Sequence, residues 1–222
     1  MGTANKAQAP AKAKLRGVSH IIAAFLSIPF GIRLISEAST PISRAACLVF
    51  ALSTTCLFSI SSIYHTPHWD PETRLMLRRW DHAAIYMLIA GTYTPFCALA
   101  LDREEVNASY LLLLVWVGAI LGIVHSIFNA GGFQSKMVSV ALYIALGWIG
   151  IPVLSNLHDM FGPTVYTNLV AGGLTYSIGG LMYAMHWPNV APSLFGYHEA
   201  FHICVIMASA FMHTAVKHAI LQ

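Results

Sequence analysis

The sequence predicts an all-α membrane protein, a bundle of seven transmembrane helices. Of its 222 residues, 57% are hydrophobic and only 9% are charged, and the mean hydropathy is +0.65. A soluble domain carries about 25% charged residues, so a water-soluble fold of this composition would have too few polar residues to cover its surface. The few charges are also clustered, which leaves seven long charge-free segments. Together these observations exclude a soluble helical domain with a buried core.

Each charge-free segment can hold one helix that crosses a bilayer, because such a helix needs about 20 apolar residues. The predicted helices cover residues 18–36, 43–64, 81–101, 109–128, 137–155, 165–186 and 198–219. Charged residues separate successive helices: Arg33 to Arg44, the segment "DPETRLMLRR", the segment "DREE", Lys136, Asp159 and Glu199. Prolines at positions 29, 95 and 152 fall inside the first, third and fifth helices, where they predict kinks. The small residues of "AGGLTYSIGG" predict close packing of the sixth helix within the bundle.

The distribution of basic residues predicts the orientation. Residues 1–16 are basic and rich in alanine, and we interpret them as a disordered cytoplasmic tail before a seven-helix domain at 17–222. With the N-terminus in the cytoplasm, eight lysine and arginine residues lie on the cytoplasmic side and four lie outside. Seven crossings then place the C-terminus outside. The basic residues are concentrated in the tail and in "RLMLRRW", which fits membrane orientation and argues against nucleic-acid binding.

Ionisable residues at membrane depth are costly and mark functional sites by default. Three groups of them stand at helix ends that the predicted topology places on the cytoplasmic side. The second helix ends in "SISSIYH", the third begins in "RRWDHAAIY", and the seventh begins in "HEAFH". One site shared by all three helices is therefore possible.

The spacing within these groups predicts a zinc site. Residues four apart share one face of a helix, so His198 and His202 point together, as do Ser61 and His65. Three imidazoles can bind Zn²⁺ and leave its fourth position open, which is the arrangement of catalytic zinc. Asp81 is then a candidate general base and Ser61 a candidate for positioning or charge stabilisation. Alternatively, Asp81 only caps the third helix.

"HEAFH" also fits the HExxH pattern of zinc proteases, in which Glu199 would activate water. A soluble protease of this type needs a third ligand downstream, and only about 20 residues follow His202. An intramembrane protease could use Asp81 as its third ligand, but Ser61 and His65 would then have no role. We therefore expect Glu199 at the membrane interface, where it stabilises the start of the helix.

The blocks "SSIYH", "RRWDHAAIYMLIAGTYTPF" and "HEAFH" resemble those of the hemolysin III proteins. These proteins belong to the progestin and adiponectin receptor family, within a larger group that includes the alkaline ceramidases. The resemblance spans roughly residues 15–220 and covers Ser61, His65, Asp81, His198 and His202. It implies a seven-helix bundle with an intramembrane zinc ion, ligated by the three histidines, near the cytoplasmic face.

The resemblance leaves two functional classes open. The first is a zinc-dependent hydrolase of a lipid amide or ester, similar to the ceramidases, in which Asp81 and Ser61 are catalytic. The second is a receptor-like, homeostatic, channel or hemolysin-type membrane protein with structural zinc. Both imply membrane lipids and a lipid substrate or ligand as partners, and neither involves nucleic acid. The short tail and the absence of further domains are similar to bacterial members, which implies a multi-pass protein of the bacterial plasma (inner) membrane.

Overall fold

The fold is an all-α bundle, as the sequence predicts. A computed structural model describes residues 13–102, 107–128 and 132–222. Within these ranges the chain forms α1 (Val18–Glu37), α2 (Pro41–His65), α3 (Pro71–Asp102), α4 (Asn107–Phe128), α5 (Gly132–Gly147), a short 3-10 helix (Ile151–Val153), α6 (Leu154–Met185) and α7 (Tyr197–Ile220). Five of these helices, α1 to α4 and α7, are long and apolar enough to cross a membrane. The predicted seven-helix membrane bundle is therefore confirmed.

Helix α3 begins about ten residues earlier than predicted. The carboxylate of Asp70 accepts hydrogen bonds from the backbone N–H groups of Glu72 and Thr73, at 3.1 and 3.0 Å, and Pro71 takes the first helical position. An acceptor before the helix and a proline at its start are both favourable there. Hydrogen bonds from Thr73 also hold the pKa of Asp70 below its usual value. The prediction failed because it placed the start of the helix where the charge-free segment begins. That point marks the edge of the membrane, whereas the helix itself begins at its cap.

The region between α5 and α6 also differs from the prediction. The fifth helix ends at Gly147 instead of residue 155, and Pro152 lies in the 3-10 helix instead of kinking an α-helix. The hydroxyl of Tyr93 stabilises this end, since it donates to the carbonyl of Gly147 at 2.7 Å and accepts from the N–H of Gly150 at 3.1 Å. The other two prolines, Pro29 and Pro95, lie inside α1 and α3 as predicted.

Helix α6 consists of two segments. Gly162 has φ of 72°, in the left-handed region that favours glycine, and it separates residues 154–161 from the long segment that starts at Pro163. The long segment packs against α7 through its small residues. A Cβ atom at Gly179 would lie 2.7 Å from the Cβ of Cys204, so a larger residue there would push the two helices apart. This close packing agrees with the prediction for the sixth helix.

Helix α3 is the centre of the bundle, because it contacts α2, α4, α5 and α7. We call the end of the bundle where α2 finishes and α3 and α7 start the inner end, and the opposite end the outer end. A hydrophobic cluster fills the outer end: Leu34, Ala38, Cys47, Phe50, Phe96, Phe161, Val165, Met212, Ala215, Val216, Ala219 and Ile220. The assignment of the inner end to the cytoplasm is a prediction from the basic residues.

The residues just before α1 are tied to the inner end. The N–H groups of Lys14 and Leu15 donate to the carbonyls of Ser193 and Leu194, at 3.0 and 3.3 Å, and Ala13 is buried. Residues 13–16, the last part of the predicted disordered tail, thus form a turn on the loop before α7. The remainder of that tail, residues 1–12, lies outside the described residues.

Candidate metal centre

Three histidines from two helices meet at the inner end. His65 is the last residue of α2, and His198 and His202 occupy the first two turns of α7. One ring nitrogen from each lies within 4.8 Å of the others. His65 and His202 are buried, and His198 is partly buried. The predicted convergence of these imidazoles is therefore present in the fold.

The spacing of the histidines fits a single metal ion. The Nε2 atoms of His65 and His198 are 3.2 Å apart. Two nitrogens bound to one tetrahedral Zn²⁺ at 2.0–2.1 Å would be separated by about 3.3 Å. His202 completes the group, since its ring centroid lies 4.7 Å from that of His198 and 5.0 Å from that of His65. Three imidazoles, two of them buried, are a set of donors that zinc and other transition metals prefer.

Asp81 lies on the metal side of the cluster. Its Oδ2 is 3.7 Å from the Nε2 of His65, the same nitrogen that faces His198. The carboxylate therefore lies next to the nitrogen through which His65 meets His198. Asp81 is also well inside α3, so it cannot be the cap of that helix, and that alternative is wrong. Ser61, one turn before His65, is buried and lies within hydrogen-bonding reach of Asp81.

Glu199 has a structural role that its place in the HExxH pattern does not reveal. It is buried within the first turn of α7. One carboxylate oxygen is paired with the guanidinium of Arg16, and the other accepts a hydrogen bond of 2.8 Å from the N–H of Gly196. The second contact stabilises the start of α7, as predicted. Because both oxygens are engaged away from the imidazoles, Glu199 is poorly placed to activate water.

The sequence analysis missed His20, a fourth buried histidine at the centre. Its ring stacks on that of His202, with centroids 3.8 Å apart and planes 5° from parallel, and its edge meets Phe58. Among the described residues, neither ring nitrogen of His20 has a hydrogen-bond partner, nor does Nδ1 of His202. The predicted topology places the start of the first helix at the cytoplasmic side, so an ionisable residue there was a signal that could have identified it.

Two cavities meet at the metal centre. The first, of about 140 Å³, is apolar and runs between α3, α5, α6 and α7, from His202 to Met212. Ten residues of α7 separate these two, which corresponds to about 15 Å of helix. The second, of about 690 Å³, lies at the inner end and is much more polar than the first, so we call it the polar cavity. Asp81 and His198 line both cavities, so the centre lies where an apolar space and a polar space join.

Comparison with known proteins identifies the family. Residues 9–213 match the family described as Haemolysin-III related. The chain belongs to this family. It is 34% identical over 202 residues to Hemolysin-3 of Bacillus cereus, covering 90% of this chain and 87% of that protein. It is 32% identical, again over 202 residues, to the Hemolysin-3 homolog of Bacillus subtilis (strain 168), covering 90% of each.

Membership agrees with the resemblance carried by the three sequence blocks. The chain is thus a haemolysin-III-related integral membrane protein with bacterial relatives, and its histidine cluster could bind a metal. The match to the family spans all seven helices of the described chain except the last turns of α7. The histidine cluster, Asp81 and Ser61 therefore all lie within the part of the chain that matches the family.

Proposed function

We propose that this protein is a zinc-dependent hydrolase of a lipid amide or ester in the plasma membrane of a bacterium. The observation that carries the proposal is the position of the histidine cluster, at the junction of an apolar cavity and a polar one. A lipid has its amide or ester bonds where its apolar chains join its polar part. A lipid that occupied both cavities would therefore present such a bond to the centre.

Zinc is the metal we infer from the donors. His65, His198 and His202 would hold the ion through one nitrogen each, and three histidines are a known ligand set of catalytic zinc. Zinc bound there would act as a Lewis acid on the carbonyl and activate a water for attack at neutral pH. The spacing of the imidazoles supports this assignment, because the 3.2 Å between two of them is close to that required by a tetrahedral site.

The remaining polar residues support a role in proton transfer. Asp81 lies beside His65, on the side that faces the cavities, so it can accept a proton from the attacking water and pass it to the leaving group. Ser61 is within reach of Asp81 and lines the apolar cavity, where it can orient that carboxylate or donate a hydrogen bond to developing negative charge. Burial of the centre limits the access of bulk water from the apolar side.

The lining of the apolar cavity suits an acyl chain. Its walls are aliphatic and aromatic, with Leu88, Ile144 and Phe201 among the residues, and its volume far exceeds the roughly 10–15 Å³ that a single water needs. A further apolar cavity of about 110 Å³ shares Tyr93, Trp148 and Met212 with it and extends toward the outer end. The interior can thus hold a chain longer than the first cavity alone.

The distance between Asp81 and His65 favours a second function, in which the zinc is structural. With Oδ2 of Asp81 only 3.7 Å from the Nε2 of His65, a small shift would make this carboxylate a fourth ligand. Four protein ligands are typical of structural zinc. In that case the centre would stabilise a receptor-like, homeostatic or channel-type protein, and the cavities would hold a regulatory lipid. The relatives named Hemolysin-3 are compatible with such a membrane role.

One experiment separates these functions. Purified protein should contain about one zinc per chain, as a single site requires. It should release a fatty acid from native membrane lipids, detected by mass spectrometry of the lipids before and after incubation. Removal of the metal with a chelator should stop the release, and added zinc should restore it. Zinc content near one without any lipid hydrolysis would favour the second function.

A matched pair of variants tests the ligands. His65→Ala should lose most of the bound zinc, because the two remaining imidazoles leave two of the four positions of a tetrahedral ion without a protein ligand. His68→Ala is the control, since His68 follows α2 by three residues and is outside the histidine cluster. Full zinc content in His65→Ala would show that the three-histidine site is wrong.

A further inference from the structure

The polar cavity at the inner end contains a charge pattern that metal binding and hydrolysis do not explain. We call this cavity the vestibule. It is about 690 Å³, within the range of roughly 300–1,000 Å³ that is usual for ligand pockets. Three arginines line it, Arg16, Arg74 and Arg78, whereas Asp81 is the one acidic residue that lines it within the described residues. The lining of the vestibule therefore has an excess of positive charge.

Two of these arginines have no acidic partner among the described residues. Arg16 is paired with Glu199. In the described ranges of the chain, no carboxylate oxygen lies within 4.0 Å of a guanidinium nitrogen of Arg74 or Arg78. Unpaired guanidinium groups that face a cavity are typical of sites for phosphate and carboxylate ligands, because their planar set of donors matches those oxygens.

The early start of α3 positions both groups. Arg74 and Arg78 are four residues apart in the part of α3 that precedes Asp81, so they lie on one face of the helix. Two tyrosines flank them. Arg74 is close enough to Tyr64, and Arg78 to Tyr183, for the two pairs to interact electrostatically. Arg78 and Tyr183 both line the vestibule, as does His198 of the metal centre.

The neighbouring Arg79 allows the vestibule arginines to be compared with a basic residue that belongs only to the general positive charge of the cytoplasmic face. It has the same charge and nearly the same depth as Arg78, but it lies about 100° further round the helix. It does not line the vestibule. If these arginines only followed the rule that favours basic residues inside, Arg78 and Arg79 would contribute equally to the binding of anionic lipid.

We propose that the vestibule binds the phosphate of an anionic lipid headgroup through Arg74 and Arg78. The placement of the acyl chain in the apolar cavity rests on the proposed function, whereas the capture of the phosphate does not. Asp81, His82, Tyr183 and His198 line both the vestibule and the apolar cavity. A lipid with its phosphate in the vestibule and its chain in the apolar cavity would therefore place the linkage between them at the metal centre.

Binding to the zinc-loaded protein in a neutral detergent tests this inference. The probes are short-chain phosphatidylglycerol, a diacylglycerol with the same chains and inorganic phosphate. We expect phosphatidylglycerol to bind at least tenfold more tightly than diacylglycerol, and Arg78→Gln to weaken its binding about tenfold, the effect of losing one charge-assisted contact. Arg79→Gln, the matched control, should change the binding less than twofold. Zinc content and thermal stability in detergent should match the wild type in both variants.

Three results would overturn the inference. Equal losses in Arg78→Gln and Arg79→Gln would show that surface charge alone attracts the lipid. Unchanged binding in the double variant Arg74→Gln/Arg78→Gln would exclude the vestibule as the phosphate site. Inorganic phosphate that binds as tightly as phosphatidylglycerol would show a site for the free ion instead of a lipid.

The test of phosphate binding and the test of hydrolysis can fail independently of each other. Headgroup-selective binding that depends on Arg78, without any hydrolysis, would retain the phosphate site and contradict the hydrolase. Hydrolysis at the same rate for charged and neutral lipids, with no dependence on Arg78, would support the hydrolase and contradict the phosphate site.

Discussion

The two ends of α7 differ in how their buried residues are stabilised. At the outer end, Ala215, Val216 and Ala219 are packed against other apolar side chains. At the inner end, His202 is just as deeply buried, but its Nδ1 has no hydrogen-bond partner among the described residues. An unpartnered buried polar group costs about 1–3 kcal/mol. The outer end therefore supplies stability, while the inner end is organised for a ligand.

Within the described residues, both cavities that meet at the inner end are lined by the histidines or by Asp81. The outer end instead holds the large cluster around Phe161 and Val216, and the lining of the apolar cavity beside it has no histidine or acid among the described residues. A metal that binds only the folded protein stabilises it by mass action. Metal binding should therefore offset the cost of the polar inner end. Variants of the two ends should then separate function from stability.

The largest expected effect concerns which end of the bundle faces the cytoplasm, because a reporter at each terminus should be either active or inactive. The seven helices and the basic residues predict that Met1 lies in the cytoplasm and Gln222 outside. A reporter that is active only outside the cytoplasm should work when fused after Gln222 and fail when fused before Met1. Signal from both fusions, or from neither, would contradict an odd number of crossings.

The next largest effect is expected at the inner end, from the two acids. Loss of a positioned general base typically reduces the rate about 10²–10⁴-fold. Asp81→Asn should therefore retain zinc and lose lipid hydrolysis by that factor, since Asn keeps the size of the side chain but cannot take a proton. The rate of fatty acid release per bound zinc is the measurement.

Glu199→Gln is the matched control for Asp81→Asn. A glutamine can still accept the hydrogen bond from Gly196, but it leaves Arg16 without its partner. We expect lower thermal stability and a hydrolysis rate within a few-fold of the wild type. An inactive Glu199→Gln together with an active Asp81→Asn would support the HExxH protease mechanism instead.

At the outer end, substitution should change stability without changing function. Phe161 is fully buried in the outer cluster, and truncation of a buried Phe to Ala costs about 3–5 kcal/mol. Phe161→Ala should lower the midpoint of thermal unfolding in detergent strongly and leave the zinc affinity unchanged. Phe161→Leu should show a smaller decrease. A loss of zinc affinity in Phe161→Ala would show that the two ends are coupled.

The sequence predicted the number and order of the helices better than it predicted the contacts at the inner end. Composition and charge gaps were sufficient for seven helices, because the lipid environment imposes long apolar segments. The spacing of His198 and His202 placed both on one helical face, and the predicted topology brought the end of α2, with His65, to the same side of the membrane. The start of α3 was missed because charged residues do not end a helix that is capped by Asp70.

Contacts between distant segments could not be predicted from local spacing. The pairing of Arg16 with Glu199 joins residues 183 positions apart, and no pattern within either segment indicates it. The same is true of the stacking of His20 on His202, which depends on the packing of α1 against α7. Only its position at the start of the predicted first helix marked His20 as a candidate functional residue.

The smallest effect is expected from His20, which tests how the inner end orients its ligands. Its ring is parallel to that of His202 at 3.8 Å, so the ring planes do not converge and the two imidazoles are poorly arranged to bind one ion. Stacking instead fixes the orientation of the His202 ring. Residues that orient a ligand typically contribute 10–100-fold to metal affinity. His20→Ala should therefore weaken zinc binding about tenfold, as measured by competition with a chelator, and should not abolish it.

His20→Phe separates the ring from its nitrogens. Phe can stack on His202 but has no polar atoms. If stacking alone orients His202, zinc affinity should stay within about threefold of the wild type, a smaller decrease than the 10–100-fold expected when an orienting group is lost. Because the two unpartnered nitrogens of His20 are removed, the metal-free protein should become more stable, by about 1–3 kcal/mol if Phe fits without strain. Zinc affinity as low as in His20→Ala would show that a nitrogen of His20 takes part in metal binding. Hydrolysis that fails in His20→Phe while zinc affinity and stability are preserved would instead assign the nitrogens to the lipid, and the inner end would then bind both of its ligands through histidine.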